Sequence, residues 1–292
     1  MEGLITCAKL VFILLSTQTW SWIASPTPTL KYIQPRSEAL GTFLGSKRSP
    51  ETLNNTSRVK VYKMCTMPNS FAQTYDDGPS EYSDELDKTL NSYKAKATYF
   101  LNGNNAGCIY DHASLLVERF RAGHLLGSHT WGHVLLSGAS YGQIHIQLEL
   151  LETAFIMILG VKPLWFRPPF GVYNDLVLEV LAERGYKGLV MWSKDTLDAD
   201  SQRPSFEEII EAYSNYPNQT NVLSHEIVET TVREVAPVVI PELKARGLKL
   251  VTISECLEIS DNPRDWYQYI GPPTPRNESW TCVGTPGPGE FE

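Results

Sequence analysis

The stretch Thr74-Tyr75-Asp76-Asp77-Gly78-Pro79 decides how the rest of the chain is read. An apolar lead, Phe71-Ala72, runs into two adjacent carboxylates and then a Gly-Pro breaker. This is the pattern of a strand that stops with both acids at its carboxyl end. Neighbouring side chains on a strand face opposite ways. A turn beginning at Gly78 relaxes that rule and lets both acids serve one site. Taken alone, the stretch reads first as a strand followed by a polar turn, because Asp-Gly is a common turn dipeptide.

The flanking sequence settles the fold class. Strand patterns occur at 71–75, 97–101, 124–128, 164–166, 188–192, 222–223 and 248–252. Helix patterns separate them at 80–93, 111–121, 141–159, 175–183, 206–213 and 232–246, the last in two parts around Pro237 and Pro241. In 141–159, Ile144, Leu148, Leu151, Phe155 and Leu159 recur at helical spacing. Such alternation predicts a parallel sheet with crossover helices. About seven βα units over ~190 residues is the size of a distorted, incomplete β/α barrel, with an open parallel α/β sheet as the alternative. The first βα turn carries no Gly-x-Gly-x-x-Gly, which counts against a dinucleotide site. The expected catalytic domain spans 61–260, and 261–292 reads as an irregular extension.

The 292 residues carry a formal net charge of −8, which argues against a nucleic-acid partner. Leu10 to Leu15 form a short apolar core with small residues near Ser21, Ala24 and Ser25. Residues 1–24 therefore read as a signal peptide, and no second run is long enough for a membrane span. Residues 25–60, rich in Pro, Ser, Thr and Asn, read as a flexible leader. Outside the signal segment stand Cys65, Cys108, Cys256 and Cys282, with no Cys-x-x-Cys pair. Disulfides in an oxidising compartment suit them better than zinc ligation, and three pairings are open. Acceptor sequences for N-glycosylation at Asn54, Asn55, Asn218 and Asn277 suit an extracellular protein.

The polar residues gather at the strand ends. Asp76 and Asp77 follow the first strand, His129 and His133 the third, Arg167 the fourth, Asp195 and Asp198 the fifth, and His225 the sixth. In a β/α barrel the active site lies at that end. Two histidines four residues apart can chelate one ion. With a carboxylate from a neighbouring strand they form a two-His, one-carboxylate set that fits a hydrolytic zinc site or a non-haem iron oxygenase. Hydrolysis needs a base and an acid nearby, and oxygenation does not. One of the adjacent acids can ligate while the other acts as base, pinned by Arg167 in a bidentate pair. His225 is a candidate general acid for a leaving amine, and Asp195 a candidate to hold it in one tautomer. Trp131, Trp165, Phe170, Tyr173 and Trp192 stand beside these positions, either to stack on sugar rings or to pack the core.

Five segments, Thr74–Pro79, Ser128-His-Thr-Trp-Gly-His133, Arg167-Pro-Pro-Phe-Gly171, Asp195-Thr-Leu-Asp198 and Leu223-Ser-His225, resemble in order the five motifs of the polysaccharide deacetylases, carbohydrate esterase family four. The chain most resembles the secreted fungal chitin deacetylases among them, from about Cys65 to Tyr269. The resemblance implies a metal-dependent amide hydrolase that removes N-acetyl groups from chitin. It implies Asp76 as base, His225 as acid, Arg167 as the partner of the base, and Asp195, with Asp198 as the alternative, as the residue that tunes His225. Asp77, His129 and His133 would hold Zn2+, with Co2+ or Mn2+ as alternatives. Phe170, Leu223, Trp131 and Asp198 would contact substrate. It also implies the disulfides Cys65–Cys256 and Cys108–Cys282. Three positions depart from the family pattern: Phe170 for Tyr, Ala199 for Trp and Glu226 for Asp. The expectation is a secreted monomer acting on chitin or chitooligosaccharides, outside the cell or in its wall. Deacetylation of another polymer, peptidoglycan or acetylated xylan, and a non-catalytic chitin-oligomer-binding protein are the alternatives.

Overall fold

The computed structural model describes residues 58–291. The signal segment, residues 25–57 of the leader and the acceptors Asn54 and Asn55 lie outside the described residues, whereas the leader's last residue, Lys60, already belongs to a strand. The central strand β2 (Ser70–Asp76) is buried on both faces along its whole length, as a parallel strand covered on both sides must be. Within it, Thr74 Oγ1 donates to the Val222 carbonyl at 2.5 Å, and Gln73 Oε1 accepts from the Tyr213 hydroxyl at 3.1 Å. Around it lie β1 (Lys60–Tyr62), β3 (Ala97–Leu101), β4 (Leu125–Ser128), β6 (Trp165–Phe166), β7 (Gly188–Val190), β8 (Lys194–Asp195), β9 (Thr220–His225) and β10 (Lys249–Leu250). The order is β1-β7-β6-β4-β3-β2-β9-β8, with β10 on the first residues of β2, and every pairing is parallel. The sheet curls into the incomplete barrel that the alternation predicts.

The ladder is not closed: β1 and β8 are its two edges, and no strand pairing joins β7 to β8 or β9. Side chains span that gap instead. Arg167 donates Nε to the Val190 carbonyl at 3.1 Å and a terminal nitrogen to the Met191 carbonyl at 3.2 Å, and Asn221 Nδ2 donates to the same Met191 carbonyl at 2.6 Å. Helices α1 (Ser83–Ser92), α2 (Ala113–Ala122), α3 (Tyr141–Leu159), α4 (Asp175–Glu183), α5 (Phe206–Asn215), α6 (Ala236–Ala245) and α7 (Ile253–Cys256) flank the sheet. α3 starts with a Ser140–Gln143 capping box and ends at Gly160, whose φ of 74° closes the last turn. The helix expected in two parts is continuous from Thr231, because a π-helical turn (Thr231–Val235) hands directly into α6. Pro237 lies at the junction of the π-helical turn and α6, and Pro241 inside α6, so each withholds an N–H from the ladder without ending the helix.

The tail is less irregular than expected. β5 (Val161–Pro163) pairs antiparallel with β11 (Tyr267–Tyr269), a contact over a long sequence separation that leaves no local pattern. Cys65 is bonded to Cys256 and Cys108 to Cys282. Among the described residues no helix is long and apolar enough to cross a membrane. Asn218 and Asn277 are exposed.

Candidate active site

The carboxyl ends of β2, β4, β6, β8 and β9 open into one cavity of about 300 Å³, whose lining includes Asp76, Asp77, His129, His133, Asp195 and His225. Backbone strain marks the same place. Asp77, Thr130, His133, Phe170 and Leu197 all have positive φ, between 51° and 71°. For a β-branched residue such as Thr130 this is a rare conformation, and such residues collect at functional sites. The turn after Asp77 needs glycine for another reason. A Cβ at Gly78 would lie 1.8 Å from Glu226 Oε1.

Asp77 faces both histidines. Its Oδ1 lies 3.4 Å from His129 Nε2 and 3.2 Å from His133 Nε2. One donor atom from each of the three lies within 4.8 Å of the others. The ring of His129 is oriented from behind, since its Nδ1 lies 2.7 Å from the Arg167 carbonyl oxygen. Nδ1 must therefore carry the hydrogen, leaving the Nε2 lone pair toward Asp77. Burial, and then the neighbouring His129, lower the His133 pKa to about 4, so its ring is neutral at physiological pH. Burial pushes the Asp77 carboxyl up, but the His129 imidazole beside it outweighs burial and holds the pKa at about 2. Asp77 Oδ1 is buried and has no hydrogen-bond partner. A buried carboxylate oxygen with nothing to accept from, facing two imidazole nitrogens, is what a divalent cation would satisfy. The donor set fits that group.

Asp76 turns away from this triangle. Its Oδ1 accepts from Arg167 Nη1 at 2.8 Å, while its Oδ2 stays 3.7 Å from His129 Nε2. The expected bidentate pair is not formed. Arg167 gives Asp76 one nitrogen, shares that nitrogen with Thr74 Oγ1 at 2.7 Å, and gives the others to the Val190 and Met191 carbonyls. One carboxylate oxygen is thereby left toward the cavity.

Across the cavity stands His225, the last residue of β9. Its Nδ1 lies 2.7 Å from Asp198 Oδ1, and its backbone N–H donates to Asp198 Oδ2 at 2.8 Å. Thr231 Oγ1 donates to the same Oδ2 at 2.6 Å. Burial alone would lower the His225 pKa. The bond to Asp198 and its charge, with Asp77 and Asp76 behind, overcome this and raise it to about 9. Nδ1–H points at Asp198, so Nε2 is the atom free to face a substrate.

Comparison with known proteins accords with this geometry. Residues 63–189 match the family described as polysaccharide deacetylase. A chitin deacetylase of Pestalotiopsis sp is 38% identical over 216 residues, covering 72% of this chain and 70% of that protein. This chain belongs to the polysaccharide deacetylase family. A probable peptidoglycan-N-acetylglucosamine deacetylase of Arthroderma benhamiae is 31% identical, over 76% of this chain and 51% of that longer protein. The solved structure of the chitin deacetylase of Colletotrichum lindemuthianum superposes with a TM-score of 0.68 at 31% identity, over 73% of this chain and 97% of that one.

Three expectations for this deacetylase site need correction. Of the two acids expected to hold His225, the alternative Asp198 meets it and the first choice Asp195 does not. Asp195 ends β8 and turns its Oδ1 back to the Leu197 N–H at 2.8 Å, while the next bend carries Asp198 inward to burial. Asp198 is therefore engaged with the histidine and is unavailable as a substrate contact. Trp131 is also not a cavity residue. It is buried, and its Nε1 donates to Thr285 Oγ1 and the Pro286 carbonyl, both at 3.1 Å. Phe170 and Leu223 do line the cavity, and the exposed Phe170 ring packs edge-on to His133 with centroids 4.6 Å apart. Sequence reading missed Arg119, Asp87 and Asn221, whose polar side chains turn inward. Their only signal is their place in otherwise apolar helix and strand faces.

Proposed function

We propose that this protein is a secreted, zinc-dependent hydrolase that removes N-acetyl groups from chitin or its oligomers, releasing acetate. The observation that carries the proposal is the unpartnered Asp77 oxygen between two oriented imidazoles, flanked on one side by a free Asp76 oxygen and on the other by His225. A divalent cation held by Asp77, His129 and His133 would polarise the acetyl carbonyl and lower the pKa of a water. Asp76 Oδ2 takes a proton from the attacking water as its oxygen bonds to the carbonyl carbon. Arg167 keeps Asp76 oriented and stays in place throughout. His225, protonated at neutral pH, gives its Nε2 proton to the amide nitrogen as the C–N bond breaks, leaving a free amine on the sugar and acetate. Asp198 stabilises the imidazolium beforehand and holds the ring afterwards. Leu223 and Phe170 form an apolar wall suited to an acetyl methyl and a sugar face. The two exposed acceptors Asn218 and Asn277 and the two disulfides suit an extracellular setting.

A second substrate reading has its own support. One relative is described as a peptidoglycan-N-acetylglucosamine deacetylase, and both polymers present the same acetylated amino sugar. The test is acetate release from N-acetylglucosamine oligomers, from peptidoglycan and from acetylated xylan, before chelation, after it, and with zinc restored. Zinc-restored release from the chitin oligomers supports the first reading, and release only from peptidoglycan replaces it with the second. Folded, zinc-loaded protein that frees acetate from none of them while binding chitin oligomers would leave a binding role only.

A further inference from the structure

We propose that the C-terminal segment 282–291 is a positioning strap for the metal-ligand loop. It fixes Trp131 and Gly132, the residues just before His133, and so sets the geometry in which His129 and His133 receive a cation. The proposal deepens the metal-site reading above and rests on it.

The loop from His129 to His133 is strained at both Thr130 and His133, with φ of 71° and 51°. Strain of this kind persists only where the surroundings over-determine it. Part of that restraint comes from the barrel. Asn102 Nδ2 donates to the His129 and Thr130 carbonyls at 2.5 and 3.0 Å, and the N–H groups of Gly103 and Asn104 donate to the Trp131 carbonyl at 2.9 and 2.8 Å. Trp131 N–H donates to the Gln147 carbonyl at 3.1 Å.

The rest comes from the strap. Gly289 N–H donates to the Gly132 carbonyl at 2.6 Å. Trp131 Nε1 donates to Thr285 Oγ1 and the Pro286 carbonyl, and Asn104 Nδ2 reaches that same carbonyl at 3.0 Å. Gln147 links the two parts: its Oε1 accepts from Gly132 N–H and its Nε2 donates to the Glu290 carbonyl, both at 2.9 Å. Packing is tight as well as bonded. A Cβ on Gly132 would lie 2.5 Å from the Gly287 carbonyl oxygen. The Cys108–Cys282 bond ties the start of the strap to the loop after β3 that also carries Gly103 and Asn104. These contacts fall on the residues between the two ligands, where a small shift moves one imidazole relative to the other. Groups that orient metal ligands from behind commonly change metal affinity 10–100-fold when removed.

The test compares the full chain with three variants: deletion from Thr281 onward combined with Cys108→Ser, Gly132→Ala, and Trp131→Phe. Zinc affinity is read by competition with a chromophoric chelator, and site geometry by the visible absorption of the cobalt-loaded protein. The expected result is zinc binding weaker by about 10–100-fold in the deletion, a smaller loss in Gly132→Ala and Trp131→Phe, and altered cobalt bands in all three. Circular dichroism and metal-free thermal unfolding establish that each variant is folded. If the deletion does not fold, the two point variants decide. Folded variants that bind zinc like wild type, with an unchanged cobalt spectrum, overturn the strap proposal alone. Wild-type protein that does not bind zinc overturns the metal-site reading and the strap with it.

Discussion

Arg167 and Arg119 are both fully buried, and each meets a carboxylate at the carboxyl end of a central strand, Asp76 on β2 and Glu226 just beyond β9. There the likeness stops. Arg119 gives Nη1 and Nη2 to the two oxygens of Glu226 at 3.0 and 2.6 Å, and Nε to Asp87 at 2.8 Å. Ser83 Oγ also donates to Glu226, the Tyr99 hydroxyl donates to Asp87 at 2.6 Å, and the Tyr99 ring lies 3.6 Å beneath the guanidinium. Every charge in that array is answered. Burial alone would lower the Arg119 pKa, but Glu226 and then Asp87 outweigh it and raise it well above the ordinary value. Arg167 has one acid, and burial outweighs that single partner, so its pKa is lowered. Asp76 keeps an oxygen that Arg167 does not use. A saturated ionic array holds the backbone around His225 and Gly78 in place, whereas an array with one open oxygen has something left to do to a substrate.

The sharpest way to break that contrast is Asp76→Asn. It removes the open oxygen's basicity while keeping an acceptor for Arg167. Turnover should fall by about 10²–10⁴-fold, the usual worth of a positioned base, with zinc affinity and thermal stability close to wild type. A variant that stays active would make Asp76 as structural as Glu226.

Arg119→Met attacks the other array. It leaves Glu226 and Asp87 buried without a counter-charge, and breaking a buried pair from one side costs about 3–5 kcal/mol. Urea unfolding should show that loss. Adding Asp87→Leu and Glu226→Met should recover much of it, because a well-packed apolar replacement of a whole buried array is often neutral. If Arg119→Met costs nothing, the array is not the brace proposed here.

The two arrays were unequally legible from sequence. Asp76 was found because a strand ending in Asp-Asp-Gly-Pro advertises its acids. Asp87 and Arg119 lie on amphipathic helices, where charged residues normally face water, and only the packing of α1 against α2 and the barrel turns them in. The long elements were readable for the same local reasons: Ala97–Leu101 and Tyr141–Leu159 carry their own β-rich or helical pattern and stand where expected. Lys60–Tyr62, Val161–Pro163, Lys194–Asp195 and Tyr267–Tyr269 are strands of two or three residues. Distant partners define them, so no local pattern could reveal them. All five polar strand ends do meet in one cavity, but which of two nearby acids reaches His225 depends on the path of an irregular bend.

Asp198→Asn tests that bend through pH. The folded His225 pKa, about 9, lies above the ordinary value. The stabilisation from its charged form is therefore fully present below about pH 6.5 and lost as pH rises through about 9. Metal-free wild type should lose stability across that window, and Asp198→Asn should flatten the slope by bringing the histidine pKa down. In the active enzyme the alkaline limb of the rate profile should move to lower pH. NMR titration of the His225 ring separates this from a general loosening of the fold.

Asp195→Asn should have the smallest effect, and it separates the two acids of the fourth motif. Asp195 is half-buried at the cavity edge, and burial raises its pKa, only partly offset by the Leu197 N–H and the charge of His225. Its visible work is local: one bond that holds Leu197 in its positive-φ bend, from which Asp200 N–H donates back to the Leu197 carbonyl at 3.1 Å. An Asn side chain can accept the same Leu197 bond, so the stability change should stay below the roughly 0.5–1.5 kcal/mol of a lost neutral hydrogen bond. The His225 titration should stay near its wild-type position, since Asp198 and Thr231 are untouched. A change in the Michaelis constant with little change in turnover would assign Asp195 to the cavity wall that Leu197 shapes. A His225 pKa that falls as far as in Asp198→Asn would instead mean that the bend rearranges when substrate or metal is bound, bringing Asp195 to the histidine after all.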